Sequence, residues 1–283
     1  MYAVSVWFLV AACAGEAEDS PADSDSGGAG VPGYTVEWET EPAPLLAASA
    51  GVFTEHLLLD GEPIPDLQAN HQRYVHTLFV SRDLSSFTHT HMEDFVALTA
   101  TDIRTSTFTF PLTLPLSGEY LVAFDYAHRD EWLHSTDWLT VGGDTPQLDT
   151  PEHDYATTVE AGDVRVTLTW DVPAVPGYES VFTAHITTLD GTDVTDLTPW
   201  LGADGHVVLV NDSLSWVSHT HAWFPDMESM TPTMTMPHVY DGPELPFHYI
   251  FPASGTYKLW VQFVRASAPD TVYAVPFSFR VEG

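Results

Sequence analysis

The tripeptide His-Thr-His occurs twice, at His89-Thr90-His91 and at His219-Thr220-His221, and each time a further histidine, His76 or His206, precedes it by thirteen residues. Histidine is the commonest metal ligand among side chains, and on an extended strand residues two apart project from one face. His89 and His91 can therefore present both rings to one point, with Thr90 turned away. An antiparallel neighbour carrying His76 would add a third imidazole, provided the register does not slip by one residue. The same holds for His206, His219 and His221. Three neutral imidazoles suit zinc, copper or nickel, whereas calcium and magnesium want hard oxygen ligands.

The surroundings of the two triplets differ. After the Ser117-Gly118 turn, copy one carries Asp125 as a candidate fourth ligand, and copy two has Gln262 at the matching place. Copy two instead holds four of the six methionines between Met227 and Met236, followed by His238. Thioethers are soft and favour Cu(I) over zinc. Copy one is thus expected to be a histidine–carboxylate site for Cu(II) or zinc. Copy two is expected to be a histidine–methionine site for Cu(I) using Met230, Met234, Met236 and His238.

The elements that must position these groups are also duplicated. Val52-Phe53-Thr54-Glu55-His56 matches Val181-Phe182-Thr183-Ala184-His185, and Ser117-Gly118-Glu119-Tyr120 matches Ser254-Gly255-Thr256-Tyr257. His89 and His219 lie 130 positions apart but Gly118 and Gly255 lie 137 apart, so copy two has seven more residues between His221 and Gly255. Period-two alternation, as in Val164-Arg165-Val166-Thr167-Leu168-Thr169-Trp170, and Asp-Gly hairpin signals at Asp60-Gly61 and Asp190-Gly191 read as short strands. No stretch offers a convincing amphipathic helix. The expected fold is all-β, with Ig-like β-sandwich domains at 35–143 and 154–283 joined by a breaker-rich linker at 144–153.

Composition limits the function classes. Forty acidic residues against eight Lys plus Arg give a formal net charge of -32, which repels nucleic acid and anionic membrane surfaces. The first residues form an apolar run too short to span a bilayer as a stable helix. Val10-Ala11-Ala12-Cys13 resembles a bacterial lipobox, which implies a signal peptide over 1–13 and lipidation of Cys13. Residues 14–34 then form an acidic disordered tether. Cys13 is the only cysteine, so neither domain depends on an intrachain disulfide.

With His76, Asp83, Leu84, His89, His91, Gly118, Tyr120, Phe124 and Asp125, and again His206, Leu214, His219, His221, Gly255 and Tyr257, the chain resembles bacterial cell-envelope Ig-like domains. Those domains carry a His-Leu-His-Pro type signature and are associated with copper and heavy-metal handling. Thr stands between the histidines here, and Met92 or Ala222 follows where the signature has Pro. The resemblance, covering both copies, implies a lipid-anchored periplasmic or outer-membrane-surface protein that binds copper, or alternatively zinc. Its role would be storage, delivery or sequestration, as a monomer with a protein partner in metal transfer. A structural or adhesive tandem module for a glycan or protein is the competing expectation. An enzymatic reading, with an open three-histidine metal site activating water or oxygen, lacks an identifiable general base.

Overall fold

The computed structural model describes residues 31–69, 72–222 and 241–283. The signal segment, Cys13, most of the tether, and Met230, Met234, Met236 and His238 lie outside the described residues.

The chain is all-β and builds one sandwich twice, as its alternating runs indicate. In domain 1, β1 (Tyr34–Glu41), β2 (Gly51–Leu59), β3 (Glu62–Pro63) and β6 (Thr107–Leu112) form an outer sheet. Facing it, β4 (Val75–Ser81), β5 (Phe87–Thr90), β7 (Gly118–His128) and β8 (Glu131–Val141) form an inner sheet in the order β5-β4-β7-β8. Domain 2 repeats the plan. Its outer sheet holds β9 (Thr158–Ala161), β10 (Val164–Val172), β11 (Glu179–Thr188) and β15 (Glu244–Ile250). Its inner sheet holds β13 (His206–Asn211), β14 (Val217–His221), β16 (Gly255–Arg265) and β17 (Ala268–Val281), with the short β12 (Leu197–Thr198) on β16. Asp60 and Gly61 both take positive φ, 54° and 83°, in the tight β2–β3 turn, as an Asp-Gly hairpin requires. One short helix, α1 (Ala100–Thr105), escapes the periodicity reading because it is too short for an apolar stripe. Its local signal is the capping box of Thr99 and Asp102, whose carboxylate accepts the Thr99 backbone N–H at 2.7 Å.

Each sandwich closes on its own core, Phe53, Phe79, Phe108, Phe110 and Phe124 in domain 1 and Phe182, Phe247, Phe251 and Phe263 in domain 2. The inner strands do more than face those cores. All seven residues of β4 are buried, and so are the first five of β13. A strand buried on both faces needs something apolar on each, and the second partner here is the other domain. Leu78, Val80, Leu84, Leu121 and Ala123 pack against Val208, Val210, Leu214, Val217 and Trp260 in a third core that the domains share. Phe87 stacks on Trp260 with ring centroids 4.8 Å apart. Lys258 Nζ reaches across to donate to the Leu84 carbonyl at 2.7 Å.

Leu84 and Leu214 occupy the β4–β5 and β13–β14 turns with φ of 58° and 54°, a left-handed conformation unfavourable for a bulky residue. Both side chains are buried in the shared core, so the packing there holds the strained turn in each copy.

Glu55 breaks the apolar pattern of β2. It points into the domain 1 core, and the Thr77 hydroxyl donates to it at 2.8 Å. Burial, with Glu93 adding a like charge and the Thr77 bond opposing, pushes its carboxyl from 4.5 up to about 8. The folded state therefore favours the protonated acid. Its stabilising contribution is complete below pH ~4.5 and is lost as pH rises through about 8. Chemical denaturation across that range should show stability falling by a few kcal/mol. Glu55→Gln should flatten the fall and stabilise the protein at pH 8; an unchanged slope would contradict the assignment.

The shared core also predicts that the two domains melt as one unit. Calorimetry of the full chain should show a single transition, and Trp260→Ala should split or broaden it while lowering stability by about 3–5 kcal/mol. Two well-separated transitions in the unaltered chain would show that the seam carries little energy.

Candidate metal centre

The expected register is the one observed. Leu78 lies opposite His89 and Thr77 opposite Thr90, which puts His89 on the β4 face that carries His76 and Leu78. In the second copy His206 lies opposite His221 and Val208 opposite His219. Thr90 and Thr220 are buried on the other face, towards their own cores.

His91 ends the strand and begins a single 3-10 turn, Met92–Asp94. Asp94 Oδ2 accepts both the His91 backbone N–H, at 3.2 Å, and His91 Nδ1–H, at 2.8 Å. Arg73 donates to the other Asp94 oxygen at 3.0 Å and holds the carboxylate in place. Because Asp94 can only accept, His91 Nδ1 must be the protonated nitrogen, and Nε2 keeps its lone pair. Behind His89 stands Gln262 of domain 2, with its Oε1 3.0 Å from His89 Nδ1; with that amide oxygen as acceptor, Nδ1 carries the proton and Nε2 keeps its lone pair.

Three ring nitrogens converge. His76 Nδ1, His89 Nε2 and His91 Nε2 form a near-equilateral triangle with edges of 3.0, 3.0 and 3.2 Å. The tetrahedral edge around an ion with ~2 Å metal–nitrogen bonds is about 3.3 Å. His89 Nε2 and His91 Nε2 are both acceptors, so at 3.0 Å they repel unless a cation or a proton lies between them.

The second copy has the same parts. His206 Nε2–H donates to the Trp200 carbonyl at 2.8 Å, and His206 Nδ1 lies 3.0 Å from His219 Nε2. The His221 ring centroid lies 4.7 Å from that of His206 and 4.8 Å from that of His219, against 4.6 Å for each corresponding distance in copy one. His206, His219 and His221 offer ligand nitrogens within 4.8 Å of one another.

His76, His91 and His206 are fully buried, and the His219 side chain is only 2% exposed. Burial holds the pKa values of His89, His91 and His219 well below the usual histidine range, with neighbouring histidines (and Arg73 for His91) adding to the effect. The rings are therefore neutral, which is the ligating form.

The sequence led to two expectations that the geometry modifies. The sites are not at a separate point in each half; both lie in the seam between the inner sheets, with His76 and His219 centroids 5.0 Å apart. Asp125 does not face the nitrogen triangle. Its Oδ1 takes a 2.5 Å hydrogen bond from His134, and its Oδ2 lies 3.8 Å from His219 Nδ1, on the side away from the ligand nitrogen. It thus stands behind a ring of the other domain, as Gln262 stands behind His89. Met230, Met234, Met236 and His238 lie outside the described residues.

Sequence reasoning missed Asp94, Arg73 and Trp200. The His91-x-x-Asp94 spacing is a capping pattern that could have drawn attention to the first, but nothing in the pattern marks the other two. The histidines matched at His56 and His185 lie on the outer sheets, where they pair with Thr107 and Asp193.

No curated protein matches the chain. Among solved structures, it is similar to the soluble domain of PmoD from a Methylocystis species, at 14% identity over 44% of this chain and 97% of that one, with a TM-score of 0.27. It is also similar to the Escherichia coli adhesin FdeC, at 15% identity over 90% of this chain and 66% of that one, with a TM-score of 0.27. For the Yersinia pseudotuberculosis adhesin InvE the identity is 14%, over 89% of this chain and 61% of that one, with a TM-score of 0.25. The chain thus spans less than two thirds of either adhesin chain, and likenesses this distant carry nothing about function. A family model described as a domain of unknown function, DUF8832, matches residues 29–143 and again 157–283. The chain belongs to that family and carries its unit twice, which agrees with the duplication read from the sequence.

Proposed function

We propose that this protein binds a transition-metal ion through its histidine triads, copper in the first place and zinc as the alternative, and serves to store, deliver or sequester it at the cell envelope. One observation carries the reading: two imidazole nitrogens whose protons are engaged elsewhere, His89 Nε2 and His91 Nε2, meet at 3.0 Å with His76 Nδ1 beside them. A protein that needed these histidines only for packing gains nothing from directing lone pairs at one another. Outward hydrogen bonds from the ring N–H, here to Asp94, Gln262 and the Trp200 carbonyl, are the usual support of metal-binding imidazoles.

Copper rather than zinc is supported by the resemblance of the His-x-His pattern to envelope domains associated with copper. The lipobox-like Val10-Ala11-Ala12-Cys13 supports attachment to a membrane through Cys13. A strongly acidic surface draws cations towards the protein without selecting among them. No catalytic step is assigned.

Metal analysis of the untagged protein after copper loading should find stoichiometric metal, and His89→Ala/His91→Ala should lower the affinity of the domain 1 site by at least 100-fold. A chain that retains no metal and behaves like the double variant would contradict the proposal and favour the adhesive module. Asp94→Ala, which leaves all three ligands in place, should weaken the same site by about 10- to 100-fold, measured by competition with a chelator. An affinity unchanged in Asp94→Ala would remove the orienting role of that carboxylate.

A further inference from the structure

The two triads are as close to each other as the rings within either one. His219 lies 5.0 Å from His76 and 4.9 Å from His89, centroid to centroid, against 4.6 to 5.4 Å inside the first triad. His76, His89 and His219, drawn from both domains, offer nitrogens within 4.8 Å of one another. With ~2 Å bonds, an ion in each triad would have the other within about 10 Å.

The supporting groups also cross the seam. Gln262 of domain 2 orients His89, and Asp125 of domain 1 stands behind His219; these two residues hold the same register position in their own sheets, opposite His206 and His76. Trp200 lies edge-on to a ring of each triad, with centroids 5.6 Å from His89 and 5.0 Å from His206.

We infer that the triads form one coupled two-ion site, completed by the docking of the domains, which accepts a pair of monovalent Cu(I) ions but strongly disfavours a second divalent ion. This rests on the metal-binding reading above. The physical reason is charge. Repulsion scales with the product of the charges, so two divalent ions repel four times as strongly as two monovalent ones at the same spacing. Asp94 behind His91 is itself paired with Arg73, and Asp125 behind His219 takes a hydrogen bond from His134, so neither is a free counter-charge for a second divalent ion. Burial of the seam weakens solvent screening, so this repulsion weighs most heavily on a divalent pair.

The test is a pair of anaerobic competition titrations on the full chain, one with Zn(II) and one with Cu(I). Zn(II) should bind in two steps, the second at least 100-fold weaker than the first, whereas two Cu(I) ions should bind with affinities within about tenfold of each other. In His219→Ala/His221→Ala, with folding checked by circular dichroism, the weak Zn(II) step should disappear and one Zn(II) should remain bound. Should that variant fail to fold, Gln262→Ala supplies the check, because loss of the domain 2 glutamine should weaken the domain 1 ion by about 10- to 100-fold. Two Zn(II) ions of equal affinity would overturn the coupling while leaving metal binding intact, and so would a limit of one Cu(I) per chain. Absence of binding by either ion would overturn the metal reading itself.

Discussion

The rest of the structure depends on one contact, the meeting of unprotonated imidazole nitrogens inside a seam from which water is largely excluded. His89 and His91 point their Nε2 atoms at each other from 3.0 Å, with Gln262 Oε1 and Asp94 Oδ2 standing as acceptors behind the Nδ1 atoms of the two rings. Such an arrangement costs energy in an empty site and becomes favourable around a cation. Because burial disfavours the imidazolium form at His89, His91 and His219, the competing solution of a shared proton is also made expensive.

The seam makes this arrangement possible. Along β4 the face that carries His76 continues through Leu78 and Val80, and along β13 the face of His206 continues through Val208 and Val210. The same strand period therefore places the ligands and the apolar residues that bring the two domains together. Trp260, Leu84 and Leu214 fill the space between the sheets, and the left-handed turns at the two leucines are held by that packing. Separation of the domains would take Gln262 from His89 and Asp125 from His219, so the ligand geometry and the domain contact stand together.

Much of this was legible in the sequence. The thirteen-residue spacing between histidines, the period-two strands and the duplicated Ser-Gly turn led to the sandwich, the register and the triad in each copy. The docking was not deduced, although its trace is present. Val75 to Val80 and Val207 to Val210 contain almost no solvent-compatible alternation, and a strand that is apolar on both faces must be covered twice. Asp125 was assigned as a ligand because it follows the Ser-Gly turn near the histidines, but in the antiparallel register its carboxylate lies by His134 and the far side of His219. Gln262 was noted as a departure from copy one, and its contact with His89 depends on the domain docking, which spacing along a chain does not encode.

The central claim is that the nitrogens of His76, His89 and His91 share an ion. A crystal structure of the copper-loaded protein, with anomalous scattering recorded at the copper edge, tests it most directly. The account predicts a peak about 2.0 to 2.1 Å from His76 Nδ1, His89 Nε2 and His91 Nε2, with Asp94 and Gln262 still bonded to the opposite ring nitrogens. Copper found only on surface carboxylates, with the three rings turned to hydrogen-bond one another or water, would contradict it.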